Sequence, residues 1–212
     1  MNGIVLFGDV VRSRRDAGAA TAWLRTLTDE LGEVYPADRR LARFEFTQGD
    51  EVQGLLAPGA DPLVGLIRAW THQDAVTMRW VVVAGAVDPG RGPATQRTGA
   101  AFLQARERLA EAASRRDRLV MATGDPPTDE ILDGVAPLLA ELLGELTERQ
   151  RVIARLLLVE EMRQSQAAER LNVSRATISV AADRAHVRSI GRLADALRIL
   201  FRNGQAAAGV AE

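Results

Sequence analysis

Asp9 and the Asp50-Glu51 pair are the residues whose types and spacing point most directly to chemistry. Asp9 follows a short apolar β-type run at residues 4–7, and Asp50-Glu51 follows Gly49 between two further β-type runs. When such strands are neighbours, carboxylates at a strand end and on the adjacent turn converge and repel. A divalent cation relieves that repulsion, and Mg2+ held there would bind nucleotide phosphates. Arg12 and Arg14 offer guanidinium forks to the same phosphates. The backbone N–H groups of residues 8–13 add further donors.

Composition makes this the main route left open. All 27 basic residues are Arg, Cys is absent, and the two histidines, His72 and His186, lie far apart. Thiol nucleophiles, Cys-containing zinc sites, iron–sulfur clusters, lysine Schiff bases and Lys-bearing phosphate loops are therefore excluded. Ser13 and Ser114 have no nearby His with which to build a triad. Aromatic residues make up only 4% of the chain, too few for rows of base-stacking rings. No apolar run approaches the ~18 residues of a membrane span. The start lacks the basic region of a secretion signal, so no membrane partner and a cytoplasmic location are expected.

The elements that must position these groups follow from periodicity. Residues 4–7 read as a buried central strand and 16–33 as a helix. Residues 41–47 and 52–56 form a hairpin turning at Gly49-Asp50, with strict alternation and one buried face in its first strand. Asp61-Pro62 opens a helix to about Trp70, with Asp as N-cap and Pro in the first position. A strong strand at 78–83, a Gly/Pro loop at 85–98, a helix at 99–113 and a short strand at 119–122 complete a ferredoxin-like pattern. Trp23, Trp70 and Trp80 read as core residues. His72 reads as a helix C-terminal interaction, and His186 as solvent-facing.

At Gly124-Asp125-Pro126-Pro127 the strands stop. Residues 125–148 hold seven acids and no Arg, whereas residues 149–192 hold nine Arg against four acids. The net charge of −1 thus averages two opposed blocks. From Thr147 the chain reads as a helix-turn-helix. A Thr147-x-x-Gln150 capping box opens one helix, and Ser165 caps a second. Asn172 takes a left-handed turn, and Ser174 caps a third helix. Ser174, Arg175, Thr177 and Ser179 stand where such motifs meet base edges and phosphates. Arg163, Ser165, Gln166, Arg170 and Arg184 complete the expected DNA-binding set. Ala176 and Val180 leave the reading helix few hydrogen-bonding groups. The residues after Phe201 read as a disordered tail.

These segments resemble known families. The third-helix motif is similar to sigma-factor region 4. Val5-Leu6-Phe7-Gly8-Asp9-Val10-Val11 resembles the first metal-binding strand of class III nucleotidyl and diguanylate cyclases, and Thr47-Gln48-Gly49-Asp50-Glu51-Val52 resembles their hairpin. The closer resemblance is to the SatD family, a palm-like domain followed by a helix-turn-helix. It is carried by Gly8-Asp9-Val10-Val11-Arg12-Ser13-Arg14, by Gly49-Asp50-Glu51-Val52-Gln53, and by Gly99-Ala100-Ala101-Phe102-Leu103-Gln104-Ala105-Arg106.

The resemblance implies an α+β chain: a ferredoxin-like, cyclase-like palm at 1–124, an acidic helical connector at 125–146, an all-α helix-turn-helix domain at 147–201 and a tail at 202–212. It implies Mg2+ at Asp9 and Asp50, with Gly8, Arg12, Ser13, Arg14, Thr47, Gly49, Glu51 and Arg106 around a nucleotide or cyclic nucleotide. Cyclases place a base-reading Lys where this chain has Phe46, and a later Asn and Arg where it has Leu103 and Glu107. Binding without turnover is thus the leading expectation, in a homodimeric DNA-binding regulator. A Mg2+-dependent nucleotidyl cyclase or transferase and a dimeric protein-interaction module are the alternatives. In the leading scheme the acidic block covers the Arg-rich reading face in one state.

Overall fold

A computed structural model describes residues 1–11, 17–47 and 50–210. Its centre is β1 (Asn2–Val10), whose apolar run is flanked on both sides by antiparallel partners. Helix α1 (Ala17–Val34) leads to the hairpin β2 (Arg40–Phe46) and β3 (Glu51–Leu56). Helix α2 (Pro62–Trp70), β4 (Met78–Ala86), α3 (Ala100–Arg115) and β5 (Leu119–Ala122) follow. The sheet order is β2-β3-β1-β4-β5, with only β4 and β5 parallel. Because β3 lies between β1 and β2, β1-α1-β2 is a split β-α-β unit. The chain is thus a mixed sheet with helices on both faces, followed by helices α4 (Pro126–Gly144), α5 (Glu148–Leu158), α6 (Gln164–Arg170), α7 (Arg175–Arg184) and α8 (Val187–Ala207).

Strand period two divides β1 between two cores. Ile4, Leu6 and Val10 join Leu24 and Leu27 of α1 and Leu63 and Leu66 of α2; Val5 and Phe7 join Ala101, Phe102 and Ala105 of α3. Two aromatic rings lie over glycines on the α1/α2 face. A Cβ on Gly8 would sit 2.6 Å from the Trp80 ring, and one on Gly54 would collide with Phe44. The alternation expected of β2 is broken by register shifts between Arg40 and Glu45, so Ala42 joins the α3-side core and Phe44 the other.

Asp61 caps α2 as expected, accepting from the Leu63 N–H at 2.9 Å. Asp125 does the same for α4, accepting from the Thr128 backbone and hydroxyl. Asp129 binds the Thr123 N–H and hydroxyl and the Gly124 N–H, fixing the turn out of β5. Two of the seven acids therefore organise a helix start, and a third, Asp133, faces Arg108 and Arg115 of α3. Helix α4 packs on β5 and α8, with Leu132, Ala136, Leu139 and Leu143 buried against the sheet. It is a structural layer packed between β5 and α8.

Two further expectations are corrected. The chain after Phe201 continues as helix to Ala207, with Gln205 and Val210 buried. Ala-rich sequence favours that helix, and Gly204 lets it approach β5's end, where an added Cβ would lie 2.5 Å from the Thr123 hydroxyl. Asn2 also donates to the Gly209 carbonyl at 3.2 Å. Ser165 is not a cap: Arg163 occupies the N-cap of α6, and its N–H donates to the Gln166 side chain. Among the described residues, no helix is long and apolar enough to cross a membrane.

Replacing a helical Gly by Ala ordinarily stabilises by about 1 kcal/mol. For Gly204→Ala the opposite sign is expected, a loss of about 1–3 kcal/mol from overpacking. Urea denaturation measures it, and a stabilised variant would show that the tail does not pack.

Candidate functional site

Asp9 lies at the C-terminal end of β1, directly across from Glu51 on one side and Arg79 on the other. Its Oδ2 accepts from Arg79 Nη1 at 2.7 Å. Its Oδ1 is buried and has no hydrogen-bond partner among the described residues. Arg79 also donates to the Asp117 carbonyl, which anchors the guanidinium to the segment before β5. The hairpin closes beside Asp9: the Val10 N–H donates to the Asp50 carbonyl, and the Thr47 N–H to the Glu51 carbonyl, both at 2.9 Å. Glu51 in turn accepts from the buried Gln53 amide.

This corner lies on the α3 face of the sheet. Phe7 and Asp9 are two residues apart on β1 and project from the same side, about 7 Å apart along the strand. The Phe7 ring meets Phe102 edge-on and carries the Arg106 guanidinium 5.6 Å from its centroid. Asp9, Arg79, Glu51, Gln53 and Arg106 therefore share a polar surface at one end of the sheet. Burial is the largest influence on Asp9 and raises its pKa. Arg79 opposes this, while Asp50 and Glu51 push it further up.

A divalent cation suits this charge pattern. Three carboxylates face one guanidinium among the described residues, and one buried carboxylate oxygen has no donor. The residues that would hold it are Asp9, through its unpartnered Oδ1, and Asp50, whose charge acts on Asp9. No group of three or more His, Cys, Asp or Glu side chains converges among the described residues, so water and phosphate oxygens would complete the coordination.

Gly8 is not a ligand-binding turn residue. It lies within β1 with ladders on both sides, which engage its backbone, and the Trp80 ring fills the place of its side chain. Thr47 is engaged in closing the hairpin. Arg12, Ser13, Arg14 and Gly49 lie outside the described residues. Arg79 was missed in the sequence because a lone Arg in an apolar strand carries no motif; only the register puts it opposite Asp9.

The second candidate surface is built by α5, α6 and α7. Thr147 and Gln150 form the capping box of α5. Asn172 takes φ +51° in the turn, and Ser174 caps α7, accepting from the Thr177 N–H at 3.0 Å. Ile178, Ala182 and Ala185 turn inward, leaving Ser174, Arg175, Ala176, Thr177, Val180 and Arg184 exposed. Ser179 is half-buried.

A groove joins this helix to the start of α5. Ser174, Thr177, Val180 and Arg184 line one side, and Thr147, Arg149 and Gln150 the other. Arg149 was not singled out from the sequence, although its place two residues past a capping Thr was a usable signal. Arg170 is directed elsewhere: it pairs with Glu160 and lines a cleft with His72 of the N-terminal half. Arg163, Ser165 and Gln166 lie on α6 and at its start, outside the groove, and Gln166 is engaged as a cap.

Helix α5 is docked onto the N-terminal half by buried polar contacts. Arg155 binds Glu30 at 2.8 Å and the Arg68 carbonyl at 3.2 Å, and Arg151 donates to the Ala75 carbonyl at 3.0 Å. The His72 N–H donates to the Ala69 carbonyl at the end of α2, and its ring lies tilted against Trp23 with Nε2 turned toward Glu30. No protein-family model matches the chain, and no curated protein matches it in sequence.

Titration of the Asp9 carboxyl by NMR should show a midpoint above the ordinary 3.8. It should rise further in Arg79→Ala and fall in Glu51→Gln. The folded state then holds the proton more tightly than the unfolded chain. Asp9 thus contributes stability at pH values below its ordinary range, and that contribution is lost as pH rises through its folded midpoint. A midpoint at or below 3.8 would contradict this reading.

Proposed function

We propose that this chain is a DNA-binding transcriptional regulator with a cyclase-like palm domain that binds a nucleotide-type ligand together with Mg2+. The observation that carries the proposal is the α6-turn-α7 unit. A left-handed Asn172 and a capping Ser174 present an exposed helix start beside Arg149, Arg175 and Arg184. Helix starts expose backbone N–H groups and favour phosphate; Arg149 and Arg184 extend that preference across the groove, and Arg175 adds a third guanidinium at the helix start.

Base readout from α7 is limited. Ala176 and Val180 occupy its outer face, and Asp183 is an exposed acid there. Phosphate contacts therefore dominate affinity, and two copies acting as a homodimer would supply the sequence discrimination that one helix lacks.

In the palm, Asp9 and Asp50 hold the cation, and Arg106 stands on the same face to meet a phosphate or base. When bound, Mg2+ offsets the charge of the nucleotide phosphates. Several features favour binding over turnover. Phe46 packs against the α1/α2 core, on the opposite side of the sheet from Asp9, so the position where cyclases carry their base-reading Lys faces away from this corner. Leu103 and Glu107, at the positions of the Asn and Arg used by cyclases, are an exposed apolar residue and an exposed acid. A SatD-type regulator is the reading that accommodates both the palm corner and the helix-turn-helix.

Fluorescence anisotropy with a pool of short random-sequence duplexes tests the DNA arm. Binding at low salt is expected, with a log–log salt slope that becomes shallower by about 1 for each phosphate contact removed. Arg149→Ala and Arg184→Ala should each weaken binding across all sequences. Unchanged affinity in the double variant would overturn this surface as the DNA interface. For the palm, a nucleoside triphosphate with Mg2+ should raise the melting temperature of the wild type and not that of Asp9→Asn. An equal shift in both proteins would place the ligand elsewhere.

A further inference from the structure

At the opposite end of the sheet from Asp9, where β1 begins and β3 and β5 end, a cleft of about 230 Å3 opens between the start of α2 and the last turns of α8. Its apolar walls are Pro62, Leu63, Met121 and Phe201, and its polar groups are Asp61, Arg198, Arg202 and Gln205. Two of these are already engaged with each other: Arg198 Nε donates to Asp61 Oδ2 at 2.5 Å, and its Nη1 reaches Asp195 at 2.8 Å.

The other two polar groups are not engaged in this way. Arg202 is exposed and makes no ion pair among the described residues. Gln205 is only 2% exposed, yet its Nε2 is buried without a hydrogen-bond partner among the described residues. An unsatisfied buried amide donor costs about 1–3 kcal/mol, so its retention beside a cleft calls for an acceptor.

We infer that this cleft binds a small organic monoanion, a carboxylate carrying a compact apolar body. The charges that line the cleft select the valence: Asp61 offsets Arg198 and leaves the single positive charge of Arg202, while Asp195, the second partner of Arg198, is exposed and outside the lining. A carboxylate matches the guanidinium fork of Arg202 with two parallel hydrogen bonds. The same group or a neighbouring oxygen accepts from Gln205 Nε2. The apolar body rests on Met121 and Phe201. The cleft is smaller than the roughly 300–1,000 Å3 of drug-sized sites, which limits the ligand to a few heavy atoms around one ring or short chain.

Benzoate is a suitable probe, with benzyl alcohol as its neutral counterpart. Titrated into the 15N-labelled full-length protein, benzoate should saturably shift the Gln205 side-chain amide and the backbone amides of Asp61 and Leu63, whereas benzyl alcohol should not. Arg202→Ala, a surface change, should weaken benzoate at least tenfold, and so should Gln205→Leu, which preserves bulk in the buried position. Three results would each overturn the inference: no saturable shift, equal response to the alcohol, or an unaltered benzoate affinity in Arg202→Ala. Nucleotide effects at Asp9 do not enter this readout, so the two sites stand or fall separately.

Discussion

One face of the sheet is too apolar and too wide for α1 and α2 alone to cover, and much of the structure follows from that. Burial of apolar surface contributes about 25 cal/mol per Å2, so any strip left bare carries a large cost. Helix α4 covers the β5 side, and α5 and α8 continue the same core, which runs from Ile4 and Leu6 through Leu139 to Ile153, Ile190 and Leu197. The α6-turn-α7 unit is consequently built onto the sheet domain. It shares a core with the domain that carries Asp9.

The polar contacts of this junction fix its register. Glu30 is largely buried and gathers Arg155, Arg68 and His72, which belong to two separate helical segments. Such pairs add little net stability, because desolvation offsets their attraction. They do penalise any slippage that strands one charge. With α5 held at Ala75 and Arg68, and α7 packed on α5 and α8, the exposed start of α7 has a defined direction relative to the sheet. A ligand that altered the sheet domain would act on α7 through these same helices.

Much of the strand and helix order was legible, because period-two and helical patterns coincide with strong local signals. Asp61-Pro62, Thr147-x-x-Gln150 and Ser174 all sit where their caps were expected. The bulge in β2 was hidden because Ala42 and Phe44 are both apolar and do not reveal which face they take. The tail was misread because Gln, Asn and Gly look like solvent-exposed residues. In α8 a buried Gln205 and a Gly204 pressed on Thr123 use those residue types for packing. Arg79 and Arg149 gained their meaning only from register and from helix packing, neither of which a linear pattern displays. The first members of the acidic block cap α4 and fix the β5–α4 turn, a use that a charge count does not display.

In the proposed function, α7 and the start of α5 form one DNA-facing surface on a body that shares its core with the sheet. Amide hydrogen exchange of the full chain, with and without a short duplex at low salt, examines this directly. Slowed exchange is expected at residues 147–150 and 174–178, with the buried strand β1 unchanged. Protection confined to α3 or α4, with α7 unaltered, would contradict it.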